Sequence, residues 1–282
     1  MDLKLTEEQQ MLRDSIRDFA ENVIKPTARE TDRARKYPEE NLRRCAELNL
    51  MGIYVPEKYG GAGMDYLSYI LVVEEMSRVC ATTGIIISAH TSLVCDPLLT
   101  YGTEEQKQKF LVPLAKGEKV GSFALTEPEA GSDAGNQQST AAKDGDHYVL
   151  NGTKVFITNA SRAGIFLIFA MTNKPAGVKG ISAFIVEKGT PGFSLGKEEE
   201  KLGITASGAC EVILEDVRIP KENLLGSEGM GFKIALGTLD GGRIGVAAQA
   251  LGIAQGVLDE SMKYSQERKQ FGQPIASFQA IA

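Results

Sequence analysis

The sequence predicts an α+β multidomain chain in three parts. An N-terminal α-helical domain covers residues 1–119, a middle antiparallel β-sandwich or barrel covers 120–228, and 229–282 form the first part of a C-terminal helical bundle. Three observations carry this reading. Apolar residues recur at helical spacing in the first third, the period shortens to β-branched and aromatic runs from about Val120, and helical spacing returns after Gly229. In the middle third strand follows strand with no helix between, which argues against a βαβ nucleotide fold. At 282 residues the chain is long enough for more than one core.

The elements follow in order. Thr6 and Gln9 make a capping box ahead of Leu12, Ile16, Phe19, Ala20 and Val23, an amphipathic stripe. The same letters, TEEQ, recur at 103–106 before Phe110, Leu111 and Leu114 and mark a second capped start. Helices near 39–49 and 65–80 are separated by YVPEKYGGAGMD, whose proline and glycines signal a loop. HYVLNG, KVFITN, IFLIFAM, ISAFIV and CEVILEDVRI read as strands between Asp-Gly, Asn-Gly, Lys-Gly and Pro-Gly turns. The last part sets Phe232, Ala235, Leu236 and Leu239, then Ala247, Ala250, Leu251, Ala254 and Leu258, at helical spacing. It also holds Gly237, Gly241, Gly242, Gly245, Gly252 and Gly256. Each costs about 1 kcal/mol relative to alanine inside a helix, so close approach of a helix or a ligand is required there; the sequence leaves both open.

Composition narrows the function. With 43% apolar and 24% charged residues the chain is neither disordered, collagen-like nor coiled-coil. A balance of 31 basic against 37 acidic residues leaves no footprint for nucleic acid, although a local basic pocket for an anionic ligand remains open. Cys45, Cys80, Cys95 and Cys210 lack CxxC spacing, and with only His90 and His147 no metal site is expected. The thiols read as buried and free in a reducing cytosol. The apolar run at 84–95 is cut by His90 and Asp96, so no membrane span is expected and the reading is cytoplasmic. MDLKLTEEQQ reads as a true N-terminus. SFQAIA stops within an apolar pattern and leaves Phe278 and Ile281 without an evident partner, so we expect the front part of a longer protein.

The chemistry is first narrowed by what is missing. There is no GxGxxG, no phosphate-loop GxxxxGK[ST] and no GxSxG elbow, and two histidines make a poor basis for a triad. A bound organic cofactor is then the natural source of reactivity, and a flavin fits. LTEPEAGSDAG at 125–135 is either an acidic turn between strands or a loop whose small residues admit a ligand. FALTEPEAGS at 123–132 and FIT at 156–158 offer apolar walls and donors. ERKQFG at 267–272 sets Arg268 and Phe271 three apart on one helix face; taken alone, that pair is better explained as a solvated helix end with a core phenylalanine.

LTEPEAGSDAG, LNGTKVFITN, GFKIALGTLDGGRIGVAAQALGIAQ and ERKQFGQPIASFQ together, in this order and along the whole chain, closely resemble the acyl-CoA dehydrogenases, most nearly the short-chain, butyryl-CoA branch. That resemblance implies FAD held between the three parts. It implies that Phe123, Ala124, Leu125, Thr126, Gly131, Ser132, Phe156, Ile157 and Thr158 contact the flavin, with Thr126 and Thr158 beside the ring and Ser132 also touching CoA. Asp240, Gly241, Gly242 and Arg243 resemble the substrate-contacting D-x-x-R, and Arg268, Phe271 and Gln279 resemble residues reaching the FAD of a neighbouring subunit, implying a homo-oligomer, commonly a tetramer.

The implied reaction removes a proton α to a thioester while the β-hydride goes to the flavin, giving a trans-2-enoyl-CoA, with electrons passed on to an electron-transferring flavoprotein. Its glutamate base is expected beyond Ala282, since the alternative position holds Gly242; no catalytic base is therefore expected in this chain, and Asp240, Glu127 and Glu129 are not substitutes. By itself the chain is expected to be inactive. Four-carbon substrates follow from the resemblance alone, pocket depth being set by helices near 68–100 and by the glycine-rich helix. The alternatives are an acyl-CoA oxidase, or a catalytically dead assembly module that binds CoA or flavin.

Overall fold

The computed structural model describes residues 4–281; residues 1–3 and 282, on which the expectations about the two ends bear, lie outside the described residues. Helix α1 (Glu7–Phe19) starts at the expected capping box, in which Thr6 and Gln9 each accept from the other's backbone N–H. It passes through a π turn, Ala20–Ile24, into α2 (Lys25–Ala34). Then come α3 (Glu39–Glu47), α4 (Tyr66–Val79) and α5 (Ala81–His90). The short α6 (Asp96–Tyr101), α7 (Glu104–Gln106) and α8 (Val112–Ala115) complete this part, α7 starting on the second capping box.

Eight strands follow: β1 (Gly121–Ala124), β2 (Thr140–Asp144), β3 (His147–Ile157), β4 (Ile165–Met171), β5 (Ile181–Glu187), β6 (Phe193–Glu198), β7 (Cys210–Pro220) and β8 (Leu224–Leu225). They order as β6-β7-β3-β2-β4-β5-β8, with β1 beside β4. The antiparallel expectation needs one correction. β1 runs parallel to β4 from Gly121↔Ile165 to Ala124↔Ile168, and β2 meets β4 in parallel at Thr140↔Met171. The reason is topological: the chain between β1 and β4 is long enough for a crossover, which a parallel pair requires.

β4 and β5 are buried on both faces. Phe166, Ile168, Phe184 and Val186 pack with Leu150, Val212, Leu214 and Ile219 inside the β layers. Ile165, Leu167, Phe169, Ile181 and Ile185 belong to a second core with Val94, Leu98, Phe110, Leu111 and Ile234 of the helices. Hence IFLIFAM shows no alternation of apolar and polar residues.

Helix α9 (Gly231–Glu267) has 37 residues, about 55 Å of helix. Its glycines divide by cause. A Cβ on Gly252 would lie 2.2 Å from the Glu74 carbonyl oxygen, one on Gly256 2.0 Å from that of Arg78, and one on Gly245 2.3 Å from Tyr69 Oη. These are the contacts of α4 laid backbone to backbone on α9. Glu75, 1% exposed, reinforces the assembly by binding Arg17 of α1 and Arg78, and Arg78 also reaches Asp259 of α9.

The end of α9 corrects a second expectation. Arg268 and Phe271 do not share a helix face, because the helix stops at Glu267 and Arg268 is extended. β9 (Lys269–Gln270) pairs antiparallel with β10 (Gln273–Pro274) around Phe271 and Gly272, at φ 51° and 79°. Two left-handed residues make a tight hairpin, and Pro274 cannot continue a helix. Phe278, expected to lack a partner, meets Phe271 edge-on at 6.0 Å between ring centroids; Ile281 is 57% exposed.

His90 is fully buried where α5, α8 and β1 meet. Its Nδ1 accepts from Gly121 N–H at 2.9 Å and its Nε2–H donates to the Leu114 carbonyl at 3.1 Å.

Two predictions come from this packing. Gly252→Ala should lower the unfolding free energy by about 2 kcal/mol through overpacking, whereas Gly237→Ala, whose nearest neighbour is 3.6 Å away, should raise it by ~0.5–1 kcal/mol; urea melts of both variants measure the contrast. Burial pushes the His90 imidazole down to about 4, partly opposed by its bond to Leu114. The unfolded chain therefore binds the extra proton first, so this contribution is full above about pH 6.5 and is lost as the pH falls toward 4. His90→Asn should flatten the pH dependence of stability between pH 4 and 6.5.

Candidate active site

A cleft of about 350 Å³ opens where the end of β1 and its following loop, the end of β3, α5 and α9 converge. Its walls include Phe123, Leu125, Thr126, Gly131, Ser132, Phe156, Ile157, Thr158 and Arg243, all named by the sequence. Ala89, Leu93, Ala134, Leu236 and Leu239 complete it.

β3 supplies one wall through a break in register with β7 between Lys154 and Ile157. Within it Phe156 stands at φ 60°, and its side chain is 66% exposed. A left-handed conformation costs a bulky residue about 1–2 kcal/mol, and a bulge re-aims the side chain it carries. Here it turns an aromatic face out of the sheet into the cleft. The hydroxyls of Thr126 and Thr158 flank this wall and have no hydrogen-bond partner among the described residues; the backbone carbonyls of both residues do, from Val155 N–H and Ser122 Oγ.

The 125–135 loop is fastened from behind. Glu127, 3% exposed, accepts from Gln138 and Ser139 N–H and pairs with Lys154 Nζ at 2.6 Å; Lys154 is wholly buried. Burial pushes the Lys154 ammonium down to about 8, opposed by Glu127. The carboxyl of Glu127 lies below its ordinary value: burial acts to raise it, and Lys154 with the two N–H donors outweighs that. The three acidic residues set aside from the sequence stay off the cleft, Glu127 held in this pair and Glu129 and Asp240 absent from the lining. No carboxylate lines the cleft among the described residues.

A second chamber of about 270 Å³ shares Ala89, Leu93, Leu239 and Arg243 with the first and adds Ile85, Ser88, Ser92, Gly242 and Val246. A Cβ on Gly242 would come 2.7 Å from Leu93 Cδ2, so the missing side chain keeps this apolar space open. Of the helices near 68–100, α5 and the π turn after it form one wall of this chamber, and the glycine-rich helix forms the other. Ala89 and Leu93 carry no motif, and only their position on the α5 face and the π turn that follows brings them here.

Other expected residues lie elsewhere. The side chain of Ala124 points into the β core. Asp240 is exposed and ion-paired with Arg243, and Gly241 accepts a hydrogen bond from Tyr66 Oη, neither lining the cleft. Arg268, Phe271 and Gln279 follow the far end of α9, about 36 Å along its axis from Arg243.

The cleft suits the isoalloxazine of FAD: an exposed aromatic face held at a backbone cost, with two hydroxyls at neighbouring strand ends that no described residue engages, matches a planar ring edged with hydrogen-bonding atoms. If Phe156 is strained for that purpose, Phe156→Gly should raise the stability of the cofactor-free protein by up to ~1 kcal/mol in thermal melts while weakening FAD binding. A loss of stability instead would assign the ring to packing.

Acyl-CoA dehydrogenase family models match in three consecutive pieces, the N-terminal domain over residues 6–118, the middle domain over 122–217 and the C-terminal domain over 229–282. The short-chain specific acyl-CoA dehydrogenase of Clostridium acetobutylicum is 57% identical over 282 residues, 100% of this chain and 74% of that protein. The structure of butyryl-CoA dehydrogenase from Megasphaera elsdenii superposes with a TM-score of 0.96 at 51% identity, again over 100% of this chain and 74% of the other. A chain in the structure described as the electron transferring flavoprotein of Acidaminococcus fermentans gives 0.97 at 56% identity, covering 100% of this chain and 74% of that one. The chain belongs to the acyl-CoA dehydrogenase family.

Proposed function

We propose that the protein performs FAD-dependent α,β-dehydrogenation of short-chain acyl-CoA thioesters, of the butyryl-CoA to crotonyl-CoA type, and passes the electrons to an electron-transferring flavoprotein. The observation that carries this is the pairing of two joined spaces, one edged by Phe156, Thr126 and Thr158 and the other small and apolar beside Gly242. The relatives described as short-chain specific, and the butyryl-CoA dehydrogenase structure, support the substrate; the structure described as an electron transferring flavoprotein supports the acceptor.

When bound, FAD supplies the two-electron acceptor for the β-hydride. The chain's residues hold and enclose. Phe156 offers a face, Thr126 and Thr158 offer hydroxyls, and Phe123, Leu125 and Ile157 keep that wall apolar. Ser132 stands at the rim, suited to a CoA contact, and Arg243 is the cation shared by both spaces, suited to an anionic part of the thioester ligand. The apolar chamber is the space for the acyl tail, with Gly242 and Leu93 limiting its length. An α-proton needs a positioned carboxylate, which neither space supplies among the described residues. We assign that base to the part of the family's length that this chain does not span.

Because Arg268, Phe271 and Gln279 come after the end of α9, which lies about 36 Å along the helix axis from Arg243, their role toward FAD requires a second copy, which supports a homo-oligomer, a tetramer in our reading. The guanidinium of Arg268 has no ion-pair partner among the described residues. No described helix is long and apolar enough to cross a membrane, and we assign the protein to the cytoplasm.

The test is an anaerobic visible spectrum of the full-length protein before and after butyryl-CoA. A yellow protein that bleaches is expected. A colourless protein would favour a non-enzymatic module, a yellow one that does not bleach would remove butyryl-CoA as substrate, and rapid reoxidation in air after bleaching would point to an oxidase.

A further inference from the structure

We propose that the buried Lys154–Glu127 pair is a positioning device that sets Thr126 against Thr158, so that the two hydroxyls are presented to one ligand at a fixed spacing. This rests on the flavin reading of the cleft.

The geometry is specific to Thr126. Lys154 Nζ donates to the Leu125 carbonyl at 3.3 Å and to Glu127 Oε1 at 2.6 Å, gripping the residues on either side of that threonine. Its remaining donor goes to Gln137 Oε1 at 3.1 Å, and Gln137 Nε2 in turn donates to the Leu125 carbonyl at 3.2 Å. Thr126 itself gives its carbonyl to Val155 N–H at 2.9 Å. The other end of the device is the strand carrying the second hydroxyl, since Lys154 and Val155 precede Phe156 and Thr158 on β3 and its exit. One buried ammonium therefore ties the first threonine's neighbours to the strand that leads to the second.

Nothing in packing alone requires a charge here. A buried ion pair is frequently no more stabilising than apolar residues of the same shape, because both charges lose their hydration. A pair retained in the interior for register differs from one retained for stability in a measurable way. Removing one partner leaves an uncompensated charge and destabilises; removing both charges restores stability but cannot restore the register. Ligand geometry is sensitive at this scale, since misplacing a binding group by about 1 Å is worth up to ~100-fold in rate.

The experiment compares Lys154→Met with the double variant Glu127→Gln/Lys154→Met in the full-length holoprotein, reading the melting temperature, the FAD dissociation constant of the stripped protein and the visible circular dichroism of bound flavin. We expect Lys154→Met to melt well below the parent. The double variant should recover most of that loss yet bind FAD at least tenfold more weakly, with an altered flavin dichroism. Parent-like FAD affinity and dichroism in the double variant would overturn the proposal and leave the pair as packing. If the double variant does not fold, Gln137→Leu removes one acceptor of Lys154; a threefold or larger loss of FAD affinity with altered dichroism supports the proposal, and parent-like binding overturns it. A parent protein that does not bind FAD would refute the flavin reading itself, separately from the role of the pair.

Discussion

Two strands covered on both faces are the constraint on which the rest of this structure depends. β4 and β5 turn alternate side chains into the β layers and into the helices, so one pair of strands belongs to two cores at once. Burying a phenylalanine or isoleucine side chain is worth roughly 1.5–3 kcal/mol, and these strands bury such side chains in both directions. The helices before the sheet and α9 after it are thereby held to the same wall. Because β1 lies on the edge of β4, the strand that leads into the cleft is registered to that wall directly.

The contact of α4 with α9 shows how one residue type serves two ends. Gly252 and Gly256 let two helix backbones touch, and each costs about 1 kcal/mol of intrinsic helix stability that the close contact must offset. Further up the same helix, Gly242 faces Leu93 and leaves space instead of filling it. The transition from packing to cavity takes place along a single stripe of α9. Away from the cleft and its chamber the same helix exposes Ile244, Leu251, Val257 and Met262, the kind of apolar surface that a helical bundle uses between its members.

The cleft carries a conformational and an electrostatic cost. Phe156 adopts a left-handed backbone, and two charges are buried behind it. Left-handed backbone at non-glycine residues also occurs away from the cleft, at Arg35, Asn49, Ile204 and Asp216 and in the Phe271 hairpin. What sets the cleft apart is that a left-handed aromatic residue, two hydroxyls and a buried ion pair lie together, so the surroundings hold that geometry.

Much was legible before any coordinates. The capping boxes at Thr6 and Thr103, the helices near 39–49 and 65–80, and the strands IFLIFAM, ISAFIV and CEVILEDVRI depend on residues within a few positions of one another, so periodicity and capping are enough to find them, whereas the Asn-Gly turn expected between HYVLNG and KVFITN is the interior of the single strand β3. The motif segments around Thr126 and Thr158 were legible too, as resemblance. Three matters were not. The hairpin at Phe271 looked like a continuing helix because the spacing of Arg268 and Phe271 is also a helical spacing. The parallel run of β1 beside β4 depends on pairing across some forty positions, for which no local pattern exists. Which glycines of α9 meet a helix and which line a cavity depends on how α4 and α5 cross it. Local pattern suffices for the order helical, β and helical along the chain and for the segments bearing the site. Only the tertiary structure decided which side chains converge, because register and crossing are properties of long-range pairs and not of any one stretch of chain.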